Sequence, residues 1–189
     1  MCEAAEVGPT NPLPPIAAGG DGHHRIRPAP EVPADDARWV GWGGVASPLP
    51  YLTQDGYSRA RSLRPFRAAV LDNGRLRATF LPEAGGRLWS LVDLATGKEL
   101  LFRNPVFQPA NLAIRNAWFA GGVEWNIGLV GHCPFTCSSL FAARLRSPEG
   151  TPVLRMYEWE RIRGVAFQVD ALLPEGSPAL LVRVRIVNP

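Results

Sequence analysis

The chain has 189 residues, of which 46% are hydrophobic, and a formal net charge of +3. This length and composition suit one domain with an ordinary core, and no stretch approaches the roughly 20 apolar residues of a membrane span. Lys98 is the only lysine and the arginines are scattered, which excludes the basic patch that nucleic-acid binding needs.

The N-terminal region differs in composition from the rest of the chain. Residues 1–36 combine proline, glycine, alanine and acids with almost no aromatic residues, which predicts a disordered tail because such a segment cannot offset the entropy of ordering. No cationic start followed by an apolar run marks a secretory signal, so we expect a cytoplasmic protein. Residues 37–65 contain two tryptophans and two tyrosines and are predicted to form an extended arm or edge segment.

From residue 66 onward the pattern is that of β-strands joined by short turns. In "RLRATFL", Leu76, Ala78 and Phe80 alternate with polar residues, which is the period of a half-buried strand. Thr96-Gly97, "SPEG" and "PEGSP" each separate two apolar runs, as the turns of hairpins do. We expect about eight strands and no long helix. The predicted fold class is all-β, an antiparallel β-sandwich over residues 66–189.

The last predicted strand, "LLVRVRIV", places Val182, Val184 and Ile186 on one face and Arg183 and Arg185 on the other. The sequence stops soon after it, whereas an antiparallel sheet normally pairs such a strand with a following one. We therefore expect the sequence to be an N-terminal fragment of a larger sandwich.

One segment, "RNAWFAGGVEWNIGLVGHCPFTCS" at residues 115–138, fits neither the helical nor the strand period. The flat face of a tryptophan suits the apolar side of a sugar ring, planar donors and acceptors suit its hydroxyls, and glycines let the backbone approach closely. The segment therefore predicts a polyol-binding surface on a loop carried by sheets. The candidate residues in and beside it are Asn111, Asn116, Trp118, Glu124, Trp125, Asn126 and His132.

Each of these residue types also has a structural explanation. The two tryptophans could fill the core, and the asparagines could cap turns. Glu124 could pair with Arg87 or Arg115, and His132 could be a satisfied histidine beside a turn.

The three cysteines are Cys2, Cys133 and Cys137, and their spacing is not that of a zinc ribbon or a redox pair. With only His132 beside Cys133 and Cys137, a metal site would lack a fourth ligand. We expect buried free thiols, as in a reducing compartment, with no metal and no cofactor.

The stretch "LPEAGGRLWSLVDLATGKELLFRN" resembles the early strands of galactose-mutarotase-like proteins, the aldose 1-epimerase superfamily. "NPVFQPANLAIRNAWFAGGVEWNIGLVGHCPFT" and "LRMYEWERIRGVAFQVDALLPEGSPALLVRVRIVNP" are similar to an uncharacterised family in that superfamily, often joined to tetratricopeptide repeats. The resemblance covers residues 66–189.

This resemblance implies a β-supersandwich that binds carbohydrate in a cleft across one sheet. In mutarotases a glutamate removes the proton of the anomeric hydroxyl and a histidine protonates the ring oxygen, so the ring opens and recloses. His132 lies where a first site histidine is expected, and Arg87 is implied to hold a sugar hydroxyl. The second histidine and the base glutamate of that pattern would lie beyond Pro189.

Three functions follow as hypotheses. The first is a carbohydrate-active enzyme, an epimerase or a glycoside hydrolase, with Glu124 and His132 as catalytic residues. A hydrolase needs a second carboxylate, for which Asp93, Glu158 and Glu160 are candidates. The second is a non-catalytic module that binds a mono- or oligosaccharide. The third is a scaffold domain of a tetratricopeptide-repeat protein, with protein partners recruited through repeats outside this fragment.

Overall fold

A computed structural model of the chain describes residues 2–4, 28–40, 50–52, 60–110, 119–128 and 132–188. These residues form short strands, one four-residue helix and one 3-10 turn. The elements are β1 (Cys2–Ala4), α1 (Ala34–Ala37), β2 (Ser62–Arg64), β3 (Ala69–Asp72), β4 (Leu76–Leu81), the 3-10 turn (Pro82–Ala84), β5 (Arg87–Asp93), β6 (Lys98–Glu99), β7 (Val106–Phe107), β8 (Phe141–Arg146), β9 (Pro152–Glu160), β10 (Val165–Leu172) and β11 (Leu181–Val187). None of the helices within these ranges is long and apolar enough to cross a membrane.

Two four-stranded antiparallel sheets form a sandwich. The first sheet has the order β3-β4-β5-β6 and the second the order β11-β10-β9-β8. Within each sheet, neighbouring strands follow one another along the chain, so each sheet is a series of hairpins. The predicted all-β antiparallel sandwich is confirmed.

The predicted strand and hairpins are also confirmed. "RLRATFL" contains β4, in which Leu76, Ala78 and Phe80 are buried while Arg77 is exposed. Gly97 lies in the turn between β5 and β6 and has a φ of 70°. Glycine adopts this left-handed conformation more readily than other residues do. "SPEG" joins β8 to β9, and "PEGSP" joins β10 to β11.

The main core lies between the two sheets. Ala78 and Phe80 of the first sheet and Met156 and Val169 of the second are fully buried and belong to one apolar cluster. Tyr51 packs its ring into the same cluster, and its hydroxyl accepts a hydrogen bond from the backbone N–H of Arg161 at 2.8 Å. Burial raises the pKa of Tyr51 to about 12, so its hydroxyl stays protonated at neutral pH.

A smaller sheet, in the order β2-β1-β7, lies beside a second apolar cluster. The cluster consists of Ala4, Leu81, Ala84, Trp89, Phe107 and Phe119. The ring of Phe107 packs edge-on against both Trp89 and Phe119, with centroids 5.1 and 5.2 Å away. Of the residues predicted to be a disordered tail, residues 1 and 5–27 lie outside the described ranges, whereas β1 and α1 are regular elements.

The last strand alternates as predicted, and both of its faces are exposed among the residues that the structure describes. All seven residues of β11 pair with β10, and all seven are exposed to solvent. Val184 pairs with Val169 of the core, so Val182, Val184 and Ile186 continue the core face of the second sheet beyond the sandwich.

Candidate functional site

Arg87 is the first residue of β5 and is only 2% exposed. The chain reaches it through the 3-10 turn and through Gly85, whose φ is 66°. A Cβ atom on Gly85 would lie 2.8 Å from the carbonyl oxygen of Phe135, so only glycine permits this close approach. Arg87 pairs with Leu81 across the strands and therefore lies on the face of the second apolar cluster.

The guanidinium of Arg87 is fixed by the protein at both terminal nitrogens. Nη1 donates to the carbonyl oxygen of Gly121 at 2.7 Å, and Nη2 donates to Oγ1 of Thr136 at 2.8 Å. The Phe119 ring lies 4.0 Å from the Arg87 Cζ, within the range of a cation–π interaction. Burial lowers the pKa of Arg87, and the charge of Glu124 opposes this shift.

Glu124 reaches Arg87 because the two residues that precede Glu124 are held by backbone hydrogen bonds to other parts of the chain. The backbone N–H of Gly122 donates to Phe102 O, and that of Val123 donates to Leu88 O, both at 2.9 Å. Gly122 has a φ of 68°, and a methyl group there would overlap the carbonyl oxygen of Leu88. The Gly-Gly pair thus lets the segment run directly against β5.

Arg87, Glu124, His132 and Thr136 form the polar cluster. Oε2 of Glu124 lies 3.2 Å from Nδ1 of His132, and Oε1 lies 3.8 Å from Nη2 of Arg87. A carboxylate only accepts hydrogen bonds. The contact between Glu124 and His132 is therefore a hydrogen bond when Nδ1 of His132 carries a proton. The side chains of Glu124 and His132 are 11% and 9% exposed, so the cluster is almost fully shielded from water.

Two buried atoms of the polar cluster have no hydrogen-bond partner among the described residues. They are Nε of Arg87 and Oε1 of Glu124. Buried polar atoms in folded proteins are nearly always hydrogen-bonded, and leaving one unpaired costs about 1–3 kcal/mol. The polar cluster therefore contains one buried N–H donor and one buried carboxylate acceptor for which the described residues supply no hydrogen-bond partner.

Of the other predicted site residues, two are described by the structure and three lie outside the described residues. Trp125 is partly buried against the main core, and its Nε1 donates to the carbonyl oxygen of Gly86 at 2.7 Å. Asn126 is exposed. Asn111, Asn116 and Trp118 lie outside the described residues, and all of these assignments remain predictions.

Three groups that hold Arg87 were not predicted from the sequence. They are the hydroxyl of Thr136, the carbonyl of Gly121 and the ring of Phe119. The general rule that a buried guanidinium needs several acceptors could have indicated that such partners exist. Nothing in the residue pattern distinguishes Thr136 from a neighbouring turn residue.

The cysteines next to the cluster are neutral thiols at physiological pH. Burial raises the pKa of both Cys133 and Cys137 to about 12. A nucleophilic or metal-binding cysteine acts as the thiolate. The burial of these two thiols therefore favours a packing role.

The acids considered as second carboxylates each accept backbone N–H groups close to them in the chain. Both carboxylate oxygens of fully buried Glu160 accept backbone N–H groups of the turn after β9, at 3.0 and 2.7 Å. Asp93 accepts N–H groups of the β5–β6 turn, and Glu158 accepts the N–H of Trp159. Within the described residues, Glu124 is the one carboxylate that contacts Arg87 or His132.

Two clefts of the described residues lie away from the polar cluster. The first has a volume of about 1000 Å3 and lies between the edge strands β3 and β8. A second, of about 410 Å3, lies on the second sheet. Neither is lined by the polar cluster. We place the candidate site at the cluster, because unpaired buried donors and acceptors are stronger signs of ligand chemistry than the space between two strand edges.

The family to which the chain belongs follows from its match to a domain profile. The profile of DUF5107, a domain of unknown function, matches residues 44–189, which is more than three-quarters of the chain. The chain belongs to the DUF5107 family. The match includes every residue of the polar cluster, and it begins within the segment predicted to be an extended arm.

A solved structure has the same fold as this DUF5107 domain. It is the crystal structure of a TPR-domain containing protein from Parabacteroides distasonis ATCC 8503 at 2.26 Å resolution, with a TM-score of 0.70 and 21% sequence identity. The match covers 96% of this chain and 27% of that chain. The DUF5107 chain thus spans about a quarter of the length of the protein it matches.

Proposed function

We propose that this DUF5107 domain binds a carbohydrate at the polar cluster, where Arg87 and Glu124 hold one sugar hydroxyl between them. The observation that carries the proposal is the pair of buried, unpartnered atoms, Nε of Arg87 and Oε1 of Glu124. A hydroxyl both accepts and donates, so one hydroxyl satisfies both atoms. A carboxylate ligand would satisfy only Arg87, and an ammonium ligand only Glu124.

Glu124 is the proposed acid–base residue of this site. A hydroxyl that donates to Oε1 is placed to pass its proton to Glu124 within hydrogen-bond reach, as general base catalysis requires. His132 contacts the other carboxylate oxygen and thereby orients the group. Arg87 is fixed at Nη1 and Nη2, so it presents Nε–H without reorganisation, which favours electrostatic stabilisation of a developing oxyanion.

Proton transfer at one hydroxyl is the chemistry that these residues support best. A glycoside hydrolase of the usual kind needs two carboxylates on either side of the scissile bond, and Glu124 is the one carboxylate of the described residues at the cluster. The resemblance of the sequence to galactose-mutarotase-like proteins also supports an epimerase-like reaction. We propose on this basis that the sandwich is of the galactose-mutarotase type.

The second candidate is a non-catalytic sugar-binding module in a larger assembly. It is favoured by the fold match to a TPR-domain containing protein, of which this chain covers only 27%. In that case, repeats elsewhere in the complete protein would recruit protein partners, and the polar cluster would recognise a mono- or oligosaccharide without turnover.

The test is a panel of monosaccharides and glycosides offered to the complete protein and to its Glu124→Gln variant. Glutamine keeps the shape and one acceptor oxygen but cannot take up a proton at neutral pH. We expect Glu124→Gln to abolish turnover and to weaken binding by less than about tenfold, since one hydrogen bond is modified. Glu149→Gln, in an exposed turn, is the matched control. Unchanged turnover in Glu124→Gln would show that Glu124 is not the acid–base residue. If the complete protein binds no sugar of the panel, the proposed function is wrong.

A further inference from the structure

Arg87 and Glu124 attract each other without forming a hydrogen bond. Nη2 of Arg87 lies 3.8 Å from Oε1 of Glu124, whereas a hydrogen bond between a guanidinium and a carboxylate is about 2.7–2.9 Å long. A guanidinium and a carboxylate that meet often form two parallel hydrogen bonds, because both groups are planar. In the polar cluster the pair stops about 1 Å short of such a bond, so another contact holds the guanidinium away from Glu124.

That contact is the hydrogen bond to Thr136, which engages the same nitrogen. Oγ1 of Thr136 accepts from Nη2 at 2.8 Å, and Thr136 is only 2% exposed. The carbonyl oxygen of Gly121 accepts from Nη1 at 2.7 Å. Nη2 carries two N–H groups, so Thr136 does not use up the donor. It acts by position, because hydrogen bonds at both terminal nitrogens fix a rigid, planar guanidinium.

The turn that carries Thr136 is attached to the turn that precedes β5. The backbone N–H of Gly85 donates to the carbonyl oxygen of Ser138 at 2.9 Å. A Cβ atom on Gly85 would lie 2.9 Å from the Cα of Thr136, so the two backbone segments are in direct contact. Oγ1 of Thr136 is therefore fixed relative to the strand that begins with Arg87, and it cannot follow the guanidinium towards Glu124.

We propose that Thr136 is a positioning residue, which keeps Nη2 of Arg87 out of hydrogen-bond reach of Glu124 and so keeps Oε1 of Glu124 open to a sugar hydroxyl. This role rests on the proposed function of the polar cluster. Without Oγ1 of Thr136, Nη2 would lose a buried acceptor, which is costly. Oε1 has no hydrogen-bond partner among the described residues, so both atoms would gain from a direct hydrogen bond.

A hydroxyl suits this positioning role because it is neutral. It holds the guanidinium of Arg87 without neutralising its charge, as a carboxylate at the same place would do. If Arg87 and Glu124 were joined directly, a sugar hydroxyl would have to break a charge-assisted hydrogen bond before it could reach Oε1. Such bonds are roughly twice as strong as those between neutral groups, so the direct pair would compete with the sugar.

The first test is the crystal structure of the complete protein and of its Thr136→Val variant, in which a methyl group replaces the hydroxyl. We expect the distance from Nη2 of Arg87 to Oε1 of Glu124 to fall to about 2.7–2.9 Å in Thr136→Val. In Thr136→Ser, which keeps the hydroxyl, it should stay near 3.8 Å. An unchanged distance in Thr136→Val would overturn the proposal. No sugar takes part in this measurement, so its result is separate from that of the proposed function.

The second test measures the affinity of the same proteins for a sugar that the parent protein binds. Thr136→Val should weaken binding at least about tenfold and Thr136→Ser by less than about threefold. In the Glu124→Gln background the attraction between the charges is gone, so adding Thr136→Val should weaken binding by less than about threefold. The control is Thr151→Val, which makes the same replacement in the turn between β8 and β9 and should bind sugar like the parent.

Two results of the affinity test would overturn the proposal. Equal weakening by Thr136→Val and Thr136→Ser would show that the hydroxyl of Thr136 is not what matters. An equal effect of Thr136→Val with and without the carboxylate of Glu124 would show that Thr136 acts through packing alone. If no sugar binds the parent protein, the proposed function is wrong, and the crystallographic distance then decides whether Thr136 separates the pair. If Thr136→Val does not fold, Thr136→Ala removes the same oxygen and replaces it.

Discussion

Oε2 of Glu124 and Nδ1 of His132 lie 3.2 Å apart, although the two residues are separated by eight positions and share no strand. Each side of this contact is linked to Arg87 at the start of β5. Glu124 follows the segment in which Val123 pairs with Leu88, and His132 precedes the turn in which Thr136 accepts a hydrogen bond from Arg87. The contact is therefore positioned by the buried arginine, which makes Arg87 central to the packing of the polar cluster.

The first prediction concerns the pairing of Arg87 with Glu124. Removing one partner leaves a buried charge uncompensated, so Arg87→Met and Glu124→Leu should each lower the free energy of unfolding by about 3–5 kcal/mol. The double variant should lose less than the sum of the two by at least about 1 kcal/mol, because neither charge then remains. Urea unfolding of the four proteins measures this cycle. Strict additivity would show that the two side chains do not interact.

The second prediction concerns the approach of Gly122 to β5. A methyl group at Gly122 would overlap the carbonyl oxygen of Leu88, at a φ of 68°. Gly74 has a φ of 80° with open space around it. Gly74→Ala should therefore cost about 1 kcal/mol, from backbone strain alone, whereas Gly122→Ala should cost at least about 2–3 kcal/mol more, from overpacking. Thermal unfolding compares them. Equal losses would show that the segment can move away from β5 without penalty.

The third prediction concerns the reactivity of Cys133 and Cys137. Burial raises both pKa values to about 12, so at pH 8 about one molecule in ten thousand carries the thiolate at either position. Alkylation by iodoacetamide should be at least about a hundredfold slower in the folded protein than in guanidinium chloride. Peptide mass spectrometry resolves the two sites. Rapid labelling of either cysteine in the folded protein would contradict its burial.

The fourth prediction concerns the acid stability contributed by Glu99. Burial tends to raise its pKa, but hydrogen bonds from Ser90 and from the N–H groups of Leu91 and Leu101 outweigh this and hold it below the ordinary value. Because the pKa is lower in the folded state, the stabilisation is present above the unfolded value of about 4.3 and is lost as the pH falls through the folded value.

Glu99→Gln should therefore be less stable than the parent protein at pH 7, and the difference should shrink below about pH 4. Urea unfolding across this pH range measures the difference. A difference that stays constant with pH would mean that Glu99 does not titrate differently in the folded and unfolded states.

Local pattern was enough to predict most of the fold. Alternation in "RLRATFL" and the turns "SPEG" and "PEGSP" are short-range signals, and each corresponds to a strand or a hairpin of the structure. The pairing of Cys2–Ala4 with Ser62–Arg64 joins residues about 60 positions apart and has no local signal. The exposure of both faces of β11 could likewise not be predicted from the sequence. Alternation predicts which residues share a face but not whether anything covers that face.

The candidate site was predictable in part. Residue chemistry selected Arg87, Glu124 and His132, and the structure places these three side chains together. The contacts that hold them depend on tertiary geometry, such as the close approach of Gly122 to Leu88 and the hydrogen bond from Arg87 to Thr136. The role of Trp125 in sugar stacking stays a prediction, and the hydrogen bond from its indole N–H to the carbonyl oxygen of Gly86 is a contact that only the folded chain could reveal.

In the proposed site, a sugar hydroxyl bridges Nε–H of Arg87 and Oε1 of Glu124. The most direct measurement is a proton–nitrogen correlation spectrum of the arginine Nε–H groups, titrated with a panel of monosaccharides. The Arg87 resonance is assigned by its absence in Arg87→Lys. We expect at least one sugar to shift this resonance saturably, and we expect Glu124→Gln to reduce the shift. A resonance that no sugar in the panel moves, while other groups in the protein respond to sugar, would contradict the proposed site.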